Sequence, residues 1–124
     1  MVVAPTTKES MTNERVMKFI NDFTNNGKKE ELIDTYTNGY CYWYWFAHML
    51  ADWALFQKER LDFQIYIVYA EIENHFGCFI NGRVYDVTGD VTDKYDWKEW
   101  TKFYHRDELL GARIVRDCIR KDEV

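Results

Sequence analysis

The chain has 124 residues, of which 47% are hydrophobic and 30% charged, a globular composition that argues against a disordered chain and allows one ordinary domain. Because 21 acidic residues outnumber 16 basic ones, the net charge is −5, which disfavours a protein that binds nucleic acid through a basic surface. Aromatic residues make up 18% of the chain, enough for a heavily packed core or an aromatic-lined cleft.

The first predicted element is a helix over residues 12–25. Four apolar residues recur there at helical spacing: Val16, Met17, Ile20 and Phe23. The sequence Asn25-Asn26-Gly27 is typical of a helix end. A short segment over residues 31–36 is ambiguous and ends at a loop signal, Thr37-Asn38-Gly39.

The most apolar segment, residues 40–57, is predicted to be a long helix, although it opens with aromatic residues that are common in strands. Apolar residues recur every three or four positions in its later half: Phe46, Met49, Leu50, Trp53 and Phe56. The helix places Cys41 in its first turn. Because the segment contains His48 and Asp52 and is shorter than the roughly 20 apolar residues that cross a bilayer, it is interpreted as a core helix.

Periodicity changes to two from Phe63 onward, and residues 63–70 predict a central strand. Residues 75–80 and 83–87 predict two further strands. Asn81-Gly82 separates them and best tolerates the positive backbone angles of a two-residue hairpin turn.

Hydrophobic periodicity predicts the secondary structure of the C-terminal part of the chain less clearly. Residues 95–103 predict a helix or a packed loop. Residues 108–120 fit a helix, although residues 113–119 also fit an edge strand. With no repeat or linker in the sequence, the prediction is a single domain over residues 1–124 of the α+β class, its sheet spanning about residues 63–88.

The predicted hairpin fixes which side chains share a face of the sheet. Its register pairs Ile80 with Arg83, Phe79 with Val84, Cys78 with Tyr85, Gly77 with Asp86 and Phe76 with Val87. His75 and Asp86 then project to one face as diagonal neighbours, roughly 7 to 8 Å apart at the backbone, and their side chains can close that gap to a hydrogen bond. Gly77 leaves the space between them open, and Cys78 projects to the other face.

This pairing matters because a carboxylate beside an imidazole holds one tautomer and stabilises the protonated ring. Such a pair can serve a nucleophile, and Cys41 is the best candidate. At a helix start, the helix dipole and the free amide groups stabilise thiolate over thiol. The amide of Cys41 could also stabilise an oxyanion.

The order of these groups resembles the papain-like superfamily, and most closely its compact transglutaminase-like and arylamine N-acetyltransferase-like branches. The similar residues are Asn38-Gly39-Tyr40-Cys41-Tyr42-Trp43, then His75, then Tyr85-Asp86-Val87-Thr88-Gly89, within about residues 38–90. The resemblance implies a papain-like core, with the Cys41 helix packed on an antiparallel sheet that presents His75 and Asp86 to it. Papain-type proteases also use a glutamine upstream of the cysteine. None precedes Cys41, so the second oxyanion donor is expected to be Asn38 or a backbone group.

The expected function is therefore that of a small thiol hydrolase or acyltransferase, which attacks an amide, ester or thioester and forms an acyl-enzyme. It needs no cofactor. The expected partner is a small-molecule or peptide acyl substrate, with neither nucleic acid nor membrane involved. The alternatives are an inactive papain-like binding or inhibitory protein, of the kind that phages and mobile elements encode, which grips a protein partner by its aromatic surface, and a domain of a larger assembly.

The remaining cysteine and histidine residues carry weaker signals. Three cysteines are too few for a disulfide-stapled miniprotein, and residues 1–10 lack a signal-peptide pattern, so a reducing, cytoplasmic location is expected. Cys78 and Cys118 are interpreted as core or sheet-surface residues. His48 lies seven residues after Cys41, but no close cysteine or histidine pair supports a metal site, and none is predicted.

Overall fold

A computed structural model of the chain describes residues 8–35, 41–57 and 64–118, which form five helices and five strands. In chain order these are α1 (Lys8–Asn25), α2 (Lys28–Thr35), α3 (Cys41–Gln57), β1 (Ile65–Ala70), β2 (His75–Ile80), β3 (Arg83–Asp86), β4 (Gly89–Asp90), β5 (Lys98–Glu99), α4 (Trp100–Arg106) and α5 (Glu108–Asp117). The strands form one antiparallel sheet in the order β4-β3-β2-β1-β5. The predicted α+β class is thus confirmed.

Helix α1 packs on α3 through the apolar positions that its spacing predicts. Val16, Ile20 and Phe23 are buried. The ring of Phe23 lies 5.1 Å from that of Phe46 in α3, in an edge-to-face arrangement that favours aromatic pairs. Sequence spacing therefore identifies the buried face of α1 correctly.

Helix α3 is buried over more than one stripe, because α1 covers one side of it and the sheet another. Its buried residues are Cys41, Tyr44, Phe46, Ala47, Leu50, Ala51 and Ala54. Two members of the predicted apolar stripe, Met49 and Phe56, are instead 38% and 81% exposed. In a helix that is apolar on most sides, periodicity does not identify which side faces solvent.

The β2–β3 hairpin confirms the predicted two-residue turn. Asn81 and Gly82 have φ angles of 48° and 90°, the left-handed conformation that such a turn requires at both positions. The ladder pairs Ile80 with Arg83, Phe79 with Val84 and Cys78 with Tyr85, as predicted. Strand β3 ends at Asp86, which pairs with Gly89 of β4, so Val87 lies beyond the strand.

The two faces of the sheet have different coverings. One face, here called the helix face, packs in the same core as α1 and α3 and carries Tyr69, Phe76, Cys78, Ile80 and Tyr85. The other, here called the open face, has a smaller cluster formed by Val68, Val84 and Val91 with half-buried Tyr66, Phe79 and Trp97. Alternation along β2 and β3 assigns His75, Gly77 and Asp86 to the open face.

The C-terminal segments resolve the alternatives that the sequence leaves open. Residues 98–99 pair with β1, and residues 100–106 form α4 rather than a loop. The stretch from Glu108 is helical, so the edge-strand alternative is wrong. Asp107 caps α5 by accepting a hydrogen bond from the amide of Leu110 at 3.1 Å. Within the described ranges, no helix is both long and apolar enough to cross a membrane.

Candidate active site

His75 and Asp86 form a buried ion-pair-like contact at the ends of two neighbouring strands. His75 begins β2 and Asp86 ends β3, and the hairpin register brings both to the open face. His75 Nε2 donates to Asp86 Oδ2 at 2.8 Å, and the two residues are 5% and 2% exposed. Because Nε2 is committed to the carboxylate, Nδ1 is the nitrogen that can exchange a proton with a reacting group.

The second carboxylate oxygen of Asp86 is held by Thr88. The amide of Thr88 donates to Asp86 Oδ1 at 2.7 Å, and the Thr88 hydroxyl donates to the same oxygen. An aspartate that binds the backbone two residues ahead is a common turn motif, so the sequence Asp86-Val87-Thr88 already contained this signal. The carboxylate therefore has partners on both oxygens, which fixes its orientation toward the imidazole.

Three aromatic rings surround the imidazole of His75. Trp43 of α3 meets it edge-to-face at a centroid distance of 4.0 Å, while Tyr95 and Trp97 lie at 5.0 and 5.7 Å. The pKa of Tyr42, whose ring lies 4.4 Å from that of Trp43, is raised first by burial and then by the negative charge of Asp86. The His75–Asp86 pair therefore lies in an aromatic environment to which α3 and the segment carrying Tyr95 and Trp97 both contribute.

Cys41 is the first residue of α3, at the predicted helix start, but its sulfur is not free. It forms a disulfide with Cys118, which directly follows α5, and the two residues are 0% and 4% exposed. Trp45 extends the same junction by donating its indole N–H to the Cys118 carbonyl at 3.4 Å. In this state Cys41 has no thiol to ionise.

The start of α3 presents different side chains to the two groups. Successive helix residues are about 100° apart, so Cys41 and Trp43 point to different sides of the helix. Trp43 faces His75, whereas Cys41 faces the end of α5. The structure thus brings together two of the predicted site residues, His75 and Asp86, and joins the third to a residue that sequence reasoning assigned to the core.

The sequence also singles out two other residues, Asn38 and Cys78. Asn38 lies outside the described residues. Cys78 is buried on the helix face, as predicted, and burial raises its pKa to about 12. Such a thiol is inert at neutral pH.

His48 is a further imidazole, half-buried near the middle of α3. Its ring packs against Tyr44 at 4.4 Å, and its Nε2 is buried with no hydrogen-bond partner among the residues that the structure describes. Burial lowers the pKa of His48, and the charge of Asp52 opposes this shift. Among the described residues, no group of three or more histidine, cysteine or acidic side chains is placed to hold a metal ion.

Comparison of the chain with protein-family models, with curated proteins and with solved structures finds no match.

Proposed function

We propose that the chain is a papain-like cysteine hydrolase or acyltransferase in its reduced form, and that the Cys41–Cys118 disulfide is its inactive form. The observation that carries the proposal is the buried hydrogen bond between His75 and Asp86, beside the first turn of the helix that Cys41 begins. Burying such a pair against aromatic rings is costly unless both partners are satisfied, and histidine–carboxylate pairs of this kind serve the nucleophile in Cys-His-Asp and Ser-His-Asp sites.

The proposed reaction starts from the free thiol. His75 Nδ1 accepts the Cys41 proton, and the sulfur attacks the carbonyl carbon of an amide, ester or thioester to form a C–S bond. The leaving group departs with the proton from His75. Water or an amine then attacks the acyl carbon and gives a proton to His75 Nδ1, and the C–S bond breaks as the Cys41 sulfur leaves and takes that proton back from His75. Asp86 keeps the imidazole oriented and stabilises its protonated form.

Reduction supplies the thiol that this reaction needs. A dithiol of the thioredoxin class transfers two electrons to the disulfide, so that Cys41 and Cys118 each gain a proton and the dithiol closes into its own disulfide. Because the Cys41 sulfur faces the end of α5 in the oxidised chain, the proposal also requires the start of α3 to rearrange after reduction so that the sulfur reaches the imidazole. A cytoplasmic location fits this proposal, because dithiol systems keep thiols reduced there.

Acylation of Cys41 tests the proposal directly. The Cys118→Ser variant leaves Cys41 permanently reduced, and incubation with a panel of aryl esters and thioesters is expected to give an acyl adduct on Cys41 in intact-mass spectra. Replacing His75 by Ala in that background is expected to slow acylation by about 10²-fold or more, the range for removal of a general base. Untreated wild-type chain is expected to give no adduct.

The matched control is His105→Ala, since His105 is exposed on α4 and its removal leaves the His75–Asp86 pair intact. Its acylation rate is expected to equal that of the Cys118→Ser chain. Equal rates for the His75 and His105 variants, or no Cys41 adduct from any donor in the reduced chain, would overturn the proposal.

A second candidate function is a binding or inhibitory protein that keeps this scaffold without using a thiol. The specific observation in its favour is the buried disulfide, which withdraws Cys41 from chemistry while leaving an aromatic surface on the opposite face of the sheet. Such a protein would keep its effect after Cys41→Ala, whereas an enzyme would lose it.

A further inference from the structure

The open face of the sheet forms the floor of a groove that the proposed reaction does not use. Its floor consists of Tyr66, Val68, Phe79 and Val84, and its walls are the segment around Tyr95 and Trp97 and the outer side of β5 and α4. The volume is about 670 Å³, within the range of small-molecule sites. We call this the open-face groove.

The floor of the open-face groove is apolar and half aromatic. Tyr66 and Phe79 are direct partners across the β1–β2 ladder, and their rings are nearly parallel, 9° apart in plane and 4.4 Å apart at their centroids. Both remain only half-buried. Trp97 is fixed beside them because its indole N–H donates to the Val91 carbonyl at 3.0 Å. The two rings cover one face of each other, so an incoming planar ring can pack against the outer side of this pair and against Trp97.

The rim of the open-face groove is basic, although the chain as a whole is acidic. Lys98, Lys102 and Arg106 line it, against one acidic residue, Glu99. Lys102 lies 3.4 Å from half-buried Glu99, while Lys98 and Arg106 lie 3.7 and 3.5 Å from exposed Glu71. The Arg106 guanidinium also lies over the Phe103 ring, 5.2 Å from its centroid. Exposed ion pairs contribute little, so an incoming anion can exchange for these carboxylates.

From the aromatic floor and the basic rim we infer that the open-face groove binds a small molecule that joins a planar aromatic ring to an anionic group. The ring packs against the stacked Tyr66–Phe79 pair beside Trp97, and the carboxylate, phosphate or sulfate reaches Lys102 and Arg106. The disulfide and the thiol of Cys41 take no part in this binding, so the inference does not depend on the proposed reaction.

The test uses 2-naphthoate as the probe and the full chain as the receptor. We expect saturable one-to-one binding by calorimetry, together with a shift of the Trp97 indole N–H signal in NMR spectra. The double variant Lys102→Glu with Arg106→Glu is expected to weaken binding about tenfold, since two attractive exposed charges become repulsive. Neutral 2-naphthalenemethanol is expected to bind more weakly than the acid and to be unaffected by that variant.

The matched control is Arg15→Glu with Lys18→Glu, which makes the same change in net charge on exposed positions of α1. It is expected to leave the naphthoate affinity unchanged. Equal weakening by both double variants, equal binding of the neutral analogue, or an unmoved Trp97 signal would overturn the inference. Binding is expected to be the same with and without a dithiol, so failure of the thiol chemistry and failure of this site are distinguishable.

Discussion

Gly77 lies between His75 and Asp86 on the open face, where the sequence predicts open space. Trp97 covers that space. A β-carbon built on Gly77 would lie 2.8 Å from Val84 Cγ1 and 3.2 Å from Trp97 Cη2. The absence of a side chain at Gly77 is therefore what lets the tryptophan approach the strand and flank the imidazole.

We expect Gly77→Ala to destabilise the fold by ~1–3 kcal/mol, because the added methyl group overpacks a tight site. The atom nearest to that methyl group belongs to Val84, whose side chain is stiff at its first torsion and cannot turn away freely. The measurement is the urea unfolding midpoint. A matched cycle with Val84→Ala, which removes the closest atom, is expected to make the Gly77→Ala cost smaller; an unchanged cost would place the clash elsewhere.

His48 gives a prediction about pH. Burial lowers its pKa from the ordinary value of 6.5, so the folded chain keeps the ring neutral where the unfolded chain takes up a proton. Stability is therefore expected to fall as the pH falls below 6.5, and to level off once the pH is below the folded-state pKa. Above 6.5 both states are neutral and the effect is absent.

Urea unfolding midpoints of wild type and His48→Phe between pH 7.5 and 5 measure this effect. As the pH falls, the unfolding midpoint of wild type is expected to decrease more than that of His48→Phe, because phenylalanine takes up no proton. His105→Gln, at an exposed position, is the control and is expected to follow wild type. Parallel curves for wild type and His48→Phe would contradict the assigned cause.

At the scale of elements, the disulfide joins the start of α3 to the end of α5 across a sequence separation of 77 residues. A crosslink over a long loop lowers the entropy of the unfolded chain, and this contribution grows with loop length. Helix α5 also packs through Ile114, which is buried, so the disulfide adds to an existing contact rather than replacing one.

Cys118→Ser is expected to lower the free energy of unfolding by ~2–4 kcal/mol, the usual contribution of a disulfide. The unfolding midpoint in urea, measured with and without dithiothreitol, is the readout. Reduced wild type is expected to match the variant, and the variant is expected to ignore the reductant. A variant as stable as oxidised wild type would mean that α5 docking alone holds this end of the chain.

The hairpin and the two long helices could be predicted, because their signals are local. Asn81-Gly82 selects one turn, that turn fixes the register, and the register places His75 beside Asp86. Strand β5 gave no usable pattern, because two residues are too few to show alternation. Its pairing with β1 depends on contacts that distant parts of the chain supply.

At the scale of the whole molecule, the sequence could say which residues share a face but not which face the helices cover. Alternation is symmetric: it separates His75 from Phe76 and leaves open which of them meets α3. The structure gives Phe76 to α3, through Tyr44 at 5.0 Å, and leaves His75 to contact the helix at its first turn. No pattern in the sequence pairs Cys41 with Cys118, because nothing local to either residue reports on a distant one.

The outermost strands of the sheet, β4 and β5, are each only two residues long. After β4 ends, the next two residues still form hydrogen bonds with β3. The Val91 amide donates to the Val84 carbonyl at 2.8 Å, and the Val84 amide donates to the Thr92 hydroxyl at 2.9 Å. A foreign strand arriving there finds donors and acceptors already engaged. The segment after β4 therefore shortens the part of β3 along which another strand could pair.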